Sequence, residues 1–168
     1  MTTNRELNLF SGAGYNKGRN LLWQFLWHLF SNLIFKKYWF PLALRPIFLR
    51  IFGASVGEGV RIRENVNIHW PWKLQIGNYC WIGTEVLILN LENVEIHDNV
   101  CISQRAFICT GSHSAKSPTF EFSNKPIVLE SSVWICASAF ILPGSCVPRG
   151  KVVPASSTFP DRVKKDKK

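Results

Sequence analysis

From Val56 onward an aliphatic residue returns at every sixth position, and this beat constrains the fold more than any other feature of the sequence. Val56, Ile62, Ile68 and Leu74 form one series, Ile76, Ile82, Ile88 and Val94 a second, and Ile96, Ile102 and Ile108 a third, each starting twenty residues after the last. A helix repeats its apolar face about every 3.6 residues and a lone strand about every 2, so neither alone gives six. A chain that turns a corner every six residues does. Three short strands then make a triangular coil of eighteen, with the aliphatic side chain pointing inward on each side, and two extra residues widen one corner. A β-sandwich of short strands would not space its strands so evenly. Small residues follow several of the aliphatic positions (Gly57, Gly77, Gly83, Ser103, Cys109, Cys136), as corners with little room and an occasional positive φ require. Such coils are stable only when stacked, each burying its face on its neighbours. The expected fold is an all-β solenoid over residues 56–155, with an N-terminal helical segment at 1–55 and a basic tail at 156–168.

The beat breaks once. From Ile108 to Leu129 the spacing is twenty-one, after which Leu129, Ile135, Ile141, Val147 and Val153 resume it. The break reads "CTGSHSAKSPTF" from Cys109 and predicts a loop at 109–126 thrown out from one corner, a place where solenoids carry function. His113 stands at its root, and Ser117, Pro118 and Asn124 are turn formers within it. An imidazole that titrates near ~6.5 can be neutral before a reaction and charged after it, so His113 is a candidate general base; it could equally cap a backbone group.

A chain of 168 residues with 46% hydrophobic content fits one folded domain. Its five cysteines are odd in number, form no CxxC pair and follow no signal peptide, which predicts reduced thiols in a cytoplasmic protein. Charge is uneven: residues 1–55 carry +6, 56–150 carry −1 and 151–168 carry +4. Anionic partners would therefore be met by the ends, but no nucleic-acid motif is present. "LLWQFLWHLFSNLIF" at 21–35 is too short and too polar to span a bilayer. Leu22, Leu26, Leu29 and Leu33 recur at helical spacing, and Lys17, Arg19, Lys36 and Lys37 flank the stretch. A second apolar stretch, Trp39 to Phe52, carries Arg45 and Arg50. Two readings stay open for residues 17–52: peripheral contact with anionic lipid at the inner face of the membrane, or packing on the coil base or a neighbouring subunit.

The strings "KGRNLLWQFLW", "LRIFGASVGEGVRI", "PWKLQIGNYCWIG", "DNVCISQRAFICTGSH" and "KPIVLESSVWICASAFILPG" together resemble the hexapeptide-repeat acyltransferases. Within them the chain is most similar to the colanic acid biosynthesis O-acetyltransferases, and more distantly to maltose and galactoside acetyltransferases. The resemblance implies a left-handed parallel β-helix, a homotrimer with active sites between subunits, and transfer of acetyl from acetyl-CoA to a sugar or lipid-linked saccharide hydroxyl. It makes His113 the general base and the backbone N–H of Ala137 the oxyanion donor, although Cys136 replaces the family's glycine before it. It sets Trp134 and Ala155 along the cofactor and Asn90 and Ser103 near the acceptor, where either could instead hydrogen-bond a turn. A carbonic anhydrase shares the fold and binds zinc through histidines; here the nearest histidine to His113 is His97, sixteen positions away, so no metal is expected, and His28, His69 and His97 are read as packing residues. The carboxyl end departs from the family. Pro148 and Pro154 stand at glycine corners, and the "AGNPA"-like segment that helps clasp coenzyme A is missing, which leaves a non-catalytic scaffold as the alternative reading.

Overall fold

The computed structural model describes residues 4–160. Fifteen short strands, β1 (Ser55–Val56) to β15 (Thr158–Phe159), are wound in threes into five coils. Every third strand stacks on the last, giving three parallel five-stranded sheets: the first starts with β1, the second with β2 (Arg61–Ile62) and the third with β3 (Asn67–Ile68). The register follows the six-residue beat: Val56 lies over Ile76, Ile62 over Ile82, and Ile88 over Ile108. Ile62, Ile82, Ile88, Ile108, Ile135 and Ile141 are all buried on the axis, so each coil covers the apolar face that its neighbour could not hide alone.

Of the two causes expected for small corner residues, lack of room is the one that holds after the inward positions. Gly77 and Gly83 are small for want of space and not for a special φ: a Cβ on Gly83 would stand 2.7 Å from the backbone nitrogen of Gln104, and one on Gly77 would stand 2.8 Å from that of Asp98. The left-handed corner residue comes two positions later; it is glycine at Gly59, Gly144 and Gly150 but a residue with a side chain at Tyr79, Glu85, Asn99, Arg105, Ser132 and Ser138. The solenoid also runs past its expected end at 155, because Thr158 and Phe159 pair with Phe140 and Ile141 of β12. The tail therefore begins beyond the last coil, and its lysines lie outside the described residues.

The ladder explains the prolines near the carboxyl end. The N–H following each inward aliphatic residue donates to the next coil, as Gly57 does to Ile76 (2.8 Å) and Cys136 to Val153 (3.0 Å). Among the described residues no coil lies above the fifth, so Pro148 and Pro154 give up no ladder bond.

At the opposite end, α1 (Leu21–Phe30), extended by a wider turn through Phe35, and α2 (Leu44–Ile51) cap the first coil. Asn20 caps α1 by accepting from the N–H of Trp23 (3.0 Å). Trp27 fixes α1 to the coil: it is fully buried, and its indole N–H donates to the carbonyl of Ile68 (3.0 Å). Arg45 is also fully buried, its guanidinium donating to the carbonyls of Phe35, Lys37 (2.7 Å) and Phe40 (3.1 Å). Arg50 donates to the carbonyls of Val56 (2.8 Å) and Gly57 (2.7 Å). Both arginines thus tie the cap to itself and to the coil.

Candidate active site

The interruption of the beat forms a narrow excursion at the edge where the third sheet meets the first, between β9 (Phe107–Cys109) and β10 (Ile127–Leu129). Its two arms pair as an antiparallel bridge between His113 and Phe122. Ser114 N–H donates to the carbonyl of Glu121 and Ser123 N–H to that of Ser112 (both 2.8 Å), while Asn124 Oδ1 accepts from Ser112 N–H (3.0 Å). These bonds hold His113 on a short ladder instead of a free loop.

The imidazole itself is fixed on two sides. His113 Nδ1 lies 2.6 Å from the carbonyl oxygen of Phe120, which can only accept, so Nδ1 carries a proton and, in the neutral ring, Nε2 is the nitrogen with the lone pair. The ring stacks on Phe120 (centroids 4.2 Å, planes 5° apart) and on Phe122 (5.0 Å, 26°), and the edge of Phe10 closes a further side at 5.8 Å. The ring is thus half-buried among aromatics, with the orientation of its two nitrogens set.

Phe10 arrives from a segment that sequence reasoning passed over. Residues 4–19 run along this edge: Glu6 N–H donates to the Pro118 carbonyl (2.9 Å), Tyr15 Oη accepts from the indole N–H of Trp70 (2.6 Å), and the Lys17 carbonyl accepts from that of Trp72 (2.6 Å). Tyr15 also packs on Phe122 (5.0 Å). Glu121 anchors the arm, with Oε1 accepting from the N–H (3.0 Å) and hydroxyl (3.1 Å) of Ser11; these donors, the backbone N–H first, hold its carboxyl below the usual carboxylate range. The available signals were the apolar "LNLF" at 7–10 in a polar arm and the alternation Phe120, Glu121, Phe122 in the loop.

The residues expected along the cofactor gather on a different edge, where the second sheet meets the third. Trp134 is half-exposed there, and its indole N–H donates to the hydroxyl of Ser103 (2.9 Å). Ala137 follows on the same coil, and its N–H has no partner among the described residues. Ala155 stacks one coil above, with Ser156 N–H donating to the Ala137 carbonyl (2.9 Å). A cleft of about 330 Å³ opens beside Ser103, lined by Arg61, Arg63, Trp81 and Gln104. His113 is one side of the triangle away from Ala137: the five residues from there to Leu142 span ~16 Å of strand. A single chain therefore does not bring His113 and the Ala137 N–H together.

Asn90 departs from the acceptor role. It is fully buried, with Oδ1 accepting from Trp70 N–H (2.9 Å) and Nδ2 donating to Trp70 O (2.6 Å). Thr110 does the same one coil later, bonding Leu89 O (3.1 Å) and Glu92 N–H (2.9 Å). Both fill a corner with a polar side chain that satisfies the backbone of the coil below, so of the two readings of Asn90 the turn is the one its contacts support. Cys80, Cys101 and Cys109 have thiols raised by burial, which keeps them protonated and poor as nucleophiles. His69 and His28 pack on each other and on Trp70, and no cluster of three metal-ligating side chains occurs among the described residues.

Three strands per coil, five stacked coils and a histidine-bearing excursion from one edge define a hexapeptide-repeat β-helix. Known structures agree on the fold. The hexapeptide-repeat acetyltransferase of Vibrio cholerae, complexed with acetyl coenzyme A, superposes with a TM-score of 0.75 at 22% identity over 90% of this chain and 82% of that one. A galactoside acetyltransferase in complex with coenzyme A gives 0.73 at 19% identity, over 95% and 86%. The coil is left-handed, as in those enzymes. In sequence, the chain is 36% identical over 157 residues to the colanic acid biosynthesis acetyltransferase WcaF of Escherichia coli K12, covering 92% of this chain and 85% of that protein, and it belongs to that acetyltransferase family. No family model matches the chain.

Proposed function

We propose that the protein is a homotrimeric, acetyl-CoA-dependent O-acetyltransferase acting on a saccharide hydroxyl in the synthesis of a cell-surface polysaccharide. WcaF is named for colanic acid biosynthesis, and the Vibrio cholerae and galactoside enzymes were captured with acetyl coenzyme A or coenzyme A. The observation that carries the reading is the Nδ1–H of His113 donating to the Phe120 carbonyl, which leaves Nε2 as a free base. A sugar hydroxyl is too weak an acid to ionise unaided at neutral pH. As its oxygen attacks the thioester carbonyl, Nε2 takes the proton and the carbonyl oxygen becomes negative. The Ala137 N–H of an adjoining subunit is suited to receive that charge. Collapse breaks the C–S bond, and the departing thiolate takes the proton back from the imidazolium.

The separation of His113 from Trp134, Ala137 and Ala155 supports a site completed between copies, with the pantetheine arm beside Trp134 and Ala155 and the acceptor beside His113. Ser103, bonded to the Trp134 indole, positions that ring. The cap formed by residues 17–52 brings the trimer to the inner face of the membrane, where lipid-linked saccharides lie; no helix among the described residues is long and apolar enough to cross it.

The test supplies acetyl-CoA with a panel of sugars and follows free thiol. Wild type is expected to release it, and His113→Ala to fall by ~10²–10⁴. Equal rates for the two across the panel would leave the non-catalytic scaffold.

A further inference from the structure

The apolar stripe of α1 faces away from the protein. At 3.6 residues per turn, Trp27, Gln24 and Ser31 lie on one side of the helix and are buried, whereas Leu22, Leu26, Leu29 and Leu33 lie opposite and are 65%, 37%, 45% and 59% exposed. Phe25 and Ile51 extend the patch, and Trp23, Phe30 and Phe48 floor a groove of about 470 Å³ between the two helices. A monomeric soluble surface rarely leaves so continuous an apolar face open.

The surrounding charge selects the occupant. Residues 7–57 contain six basic side chains and no acidic one. Arg45 and Arg50 are committed to backbone carbonyls, which leaves Lys17 and Arg19 before α1 and Lys36 and Lys37 after its extension, at the two ends of the apolar stripe. A second copy laid face to face would bring these like charges together. An anionic bilayer would satisfy both the apolar stripe and the basic rim. Tyr38 and Trp39, exposed beside Lys36 and Lys37, are the amphipathic aromatics that settle at headgroup level.

We propose that α1 and α2 form an interfacial docking face for anionic phospholipid, with Leu22, Phe25, Leu29 and Leu33 immersed and Lys17, Arg19, Lys36 and Lys37 on the headgroups. This deepens the membrane contact proposed above and does not depend on acetyl transfer. It also bears on the acceptor. His113 lies on the third coil, ~10 Å of strand spacing above the first, which stands on a helix ~10 Å across. The base thus sits ~20 Å from the lipid, within reach of a short saccharide on a membrane anchor.

The experiment is co-sedimentation of the full chain, without acetyl-CoA, on vesicles of phosphatidylglycerol and phosphatidylcholine or of phosphatidylcholine alone. Wild type is expected to pellet with the anionic vesicles at low salt. Lys36→Glu with Lys37→Glu should weaken partitioning more than tenfold, at about fivefold per charge. Leu22→Ser with Phe25→Ser and Leu29→Ser, all at exposed positions, should abolish it while leaving the mass in solution unchanged. Absence of pelleting by wild type overturns the proposal, as does equal pelleting by all three proteins. A fall in oligomer mass in the serine variant would also overturn it and make the face a subunit contact. Thiol release, measured separately with soluble sugars, reports on the catalytic reading alone.

Discussion

Ser11 and Glu121 are 110 positions apart in sequence and joined by two hydrogen bonds, from the serine N–H and hydroxyl to one carboxylate oxygen. Because Phe10 precedes Ser11 and touches His113, this contact sets where the arm meets the imidazole. Glu121→Gln keeps the shape but removes the charge. It is expected to lower kcat about tenfold, with a smaller change in KM, since a base displaced by a fraction of an ångström loses alignment. The depressed pKa fixes the sign with pH: the contact is complete above the usual carboxylate range and lost as pH falls through the lowered value. Proteolysis of the arm near Ser11 should accelerate in the variant and, for wild type, only in acid. A variant with wild-type kcat and an equally protected arm would refute the link.

Phe120 supplies both the carbonyl that sets the His113 tautomer and the ring stacked on it, and it does so at φ +57°, a left-handed conformation unfavourable for a bulky residue. Phe120→Gly relieves that strain and removes the stack. Activity is expected to fall roughly tenfold while the melting temperature stays within a few degrees. An active-site residue whose loss leaves stability nearly intact would separate ring positioning from folding. A large fall in melting temperature would make it a packing residue first.

The axial residues were legible because burial recurs with the coil: Ile62, Ile88 and Ile135 had to face inward if the beat meant anything. His113 was visible as the point where the beat stops. What could not be read were contacts between segments with no shared period. The arm at 4–19 lies outside the repeat, and Glu121 sits in its one interruption, so no spacing connects them. Asn90 shows the converse difficulty. Its amide looked available for a ligand, but its partner is the backbone of the coil below, twenty residues back, and only stacking reveals that. The glycine at 83 was legible as a corner with little room, but that the Gln104 backbone above it is what takes the space only stacking shows.

His69 gives a stability signature in acid. Burial first, then the neighbouring charge of His28, lowers its pKa to about 4, against ~6.5 for a free imidazole. Between those values the unfolded chain takes up a proton that the folded chain refuses, so stability is full above pH ~6.5 and declines as pH falls toward 4. The ring is partly exposed, so water screens the effect to the order of 1 kcal/mol. Urea midpoints at neutral and mildly acid pH should converge more closely in His69→Gln than in wild type. Identical pH slopes for the two proteins would exclude this role.

Arg45 concerns the cap itself. Its guanidinium is buried and donates to three carbonyls, of Phe35, Lys37 and Phe40, which close the turn joining the two helices. Phe35 and Phe40 lie 5.5 and 5.6 Å from the same cation, so the charge is held between rings as well as by oxygens. Arg45→Met fills a similar volume without donors and strands the carbonyls of Phe35 and Phe40 in a dry interior, while that of Lys37 keeps the N–H of Phe40 (3.1 Å), a loss of about 3 kcal/mol. Lysine cannot replace the fork, since one ammonium does not reach three oxygens set around a plane. The cap holds Trp23, Trp27 and Trp39 and the solenoid Trp70, Trp72, Trp81 and Trp134, so with these last four replaced by phenylalanine in both proteins indole fluorescence reports the melting of the cap while circular dichroism reports the coil. Arg45→Met is expected to lower the fluorescence transition by roughly 6–12 °C, with the coil transition following it down if cap and solenoid melt as one unit. If instead the coil transition holds while the fluorescence transition drops, the cap is a separately melting layer. A fluorescence transition within a degree of wild type would mean that the guanidinium does not hold the turn.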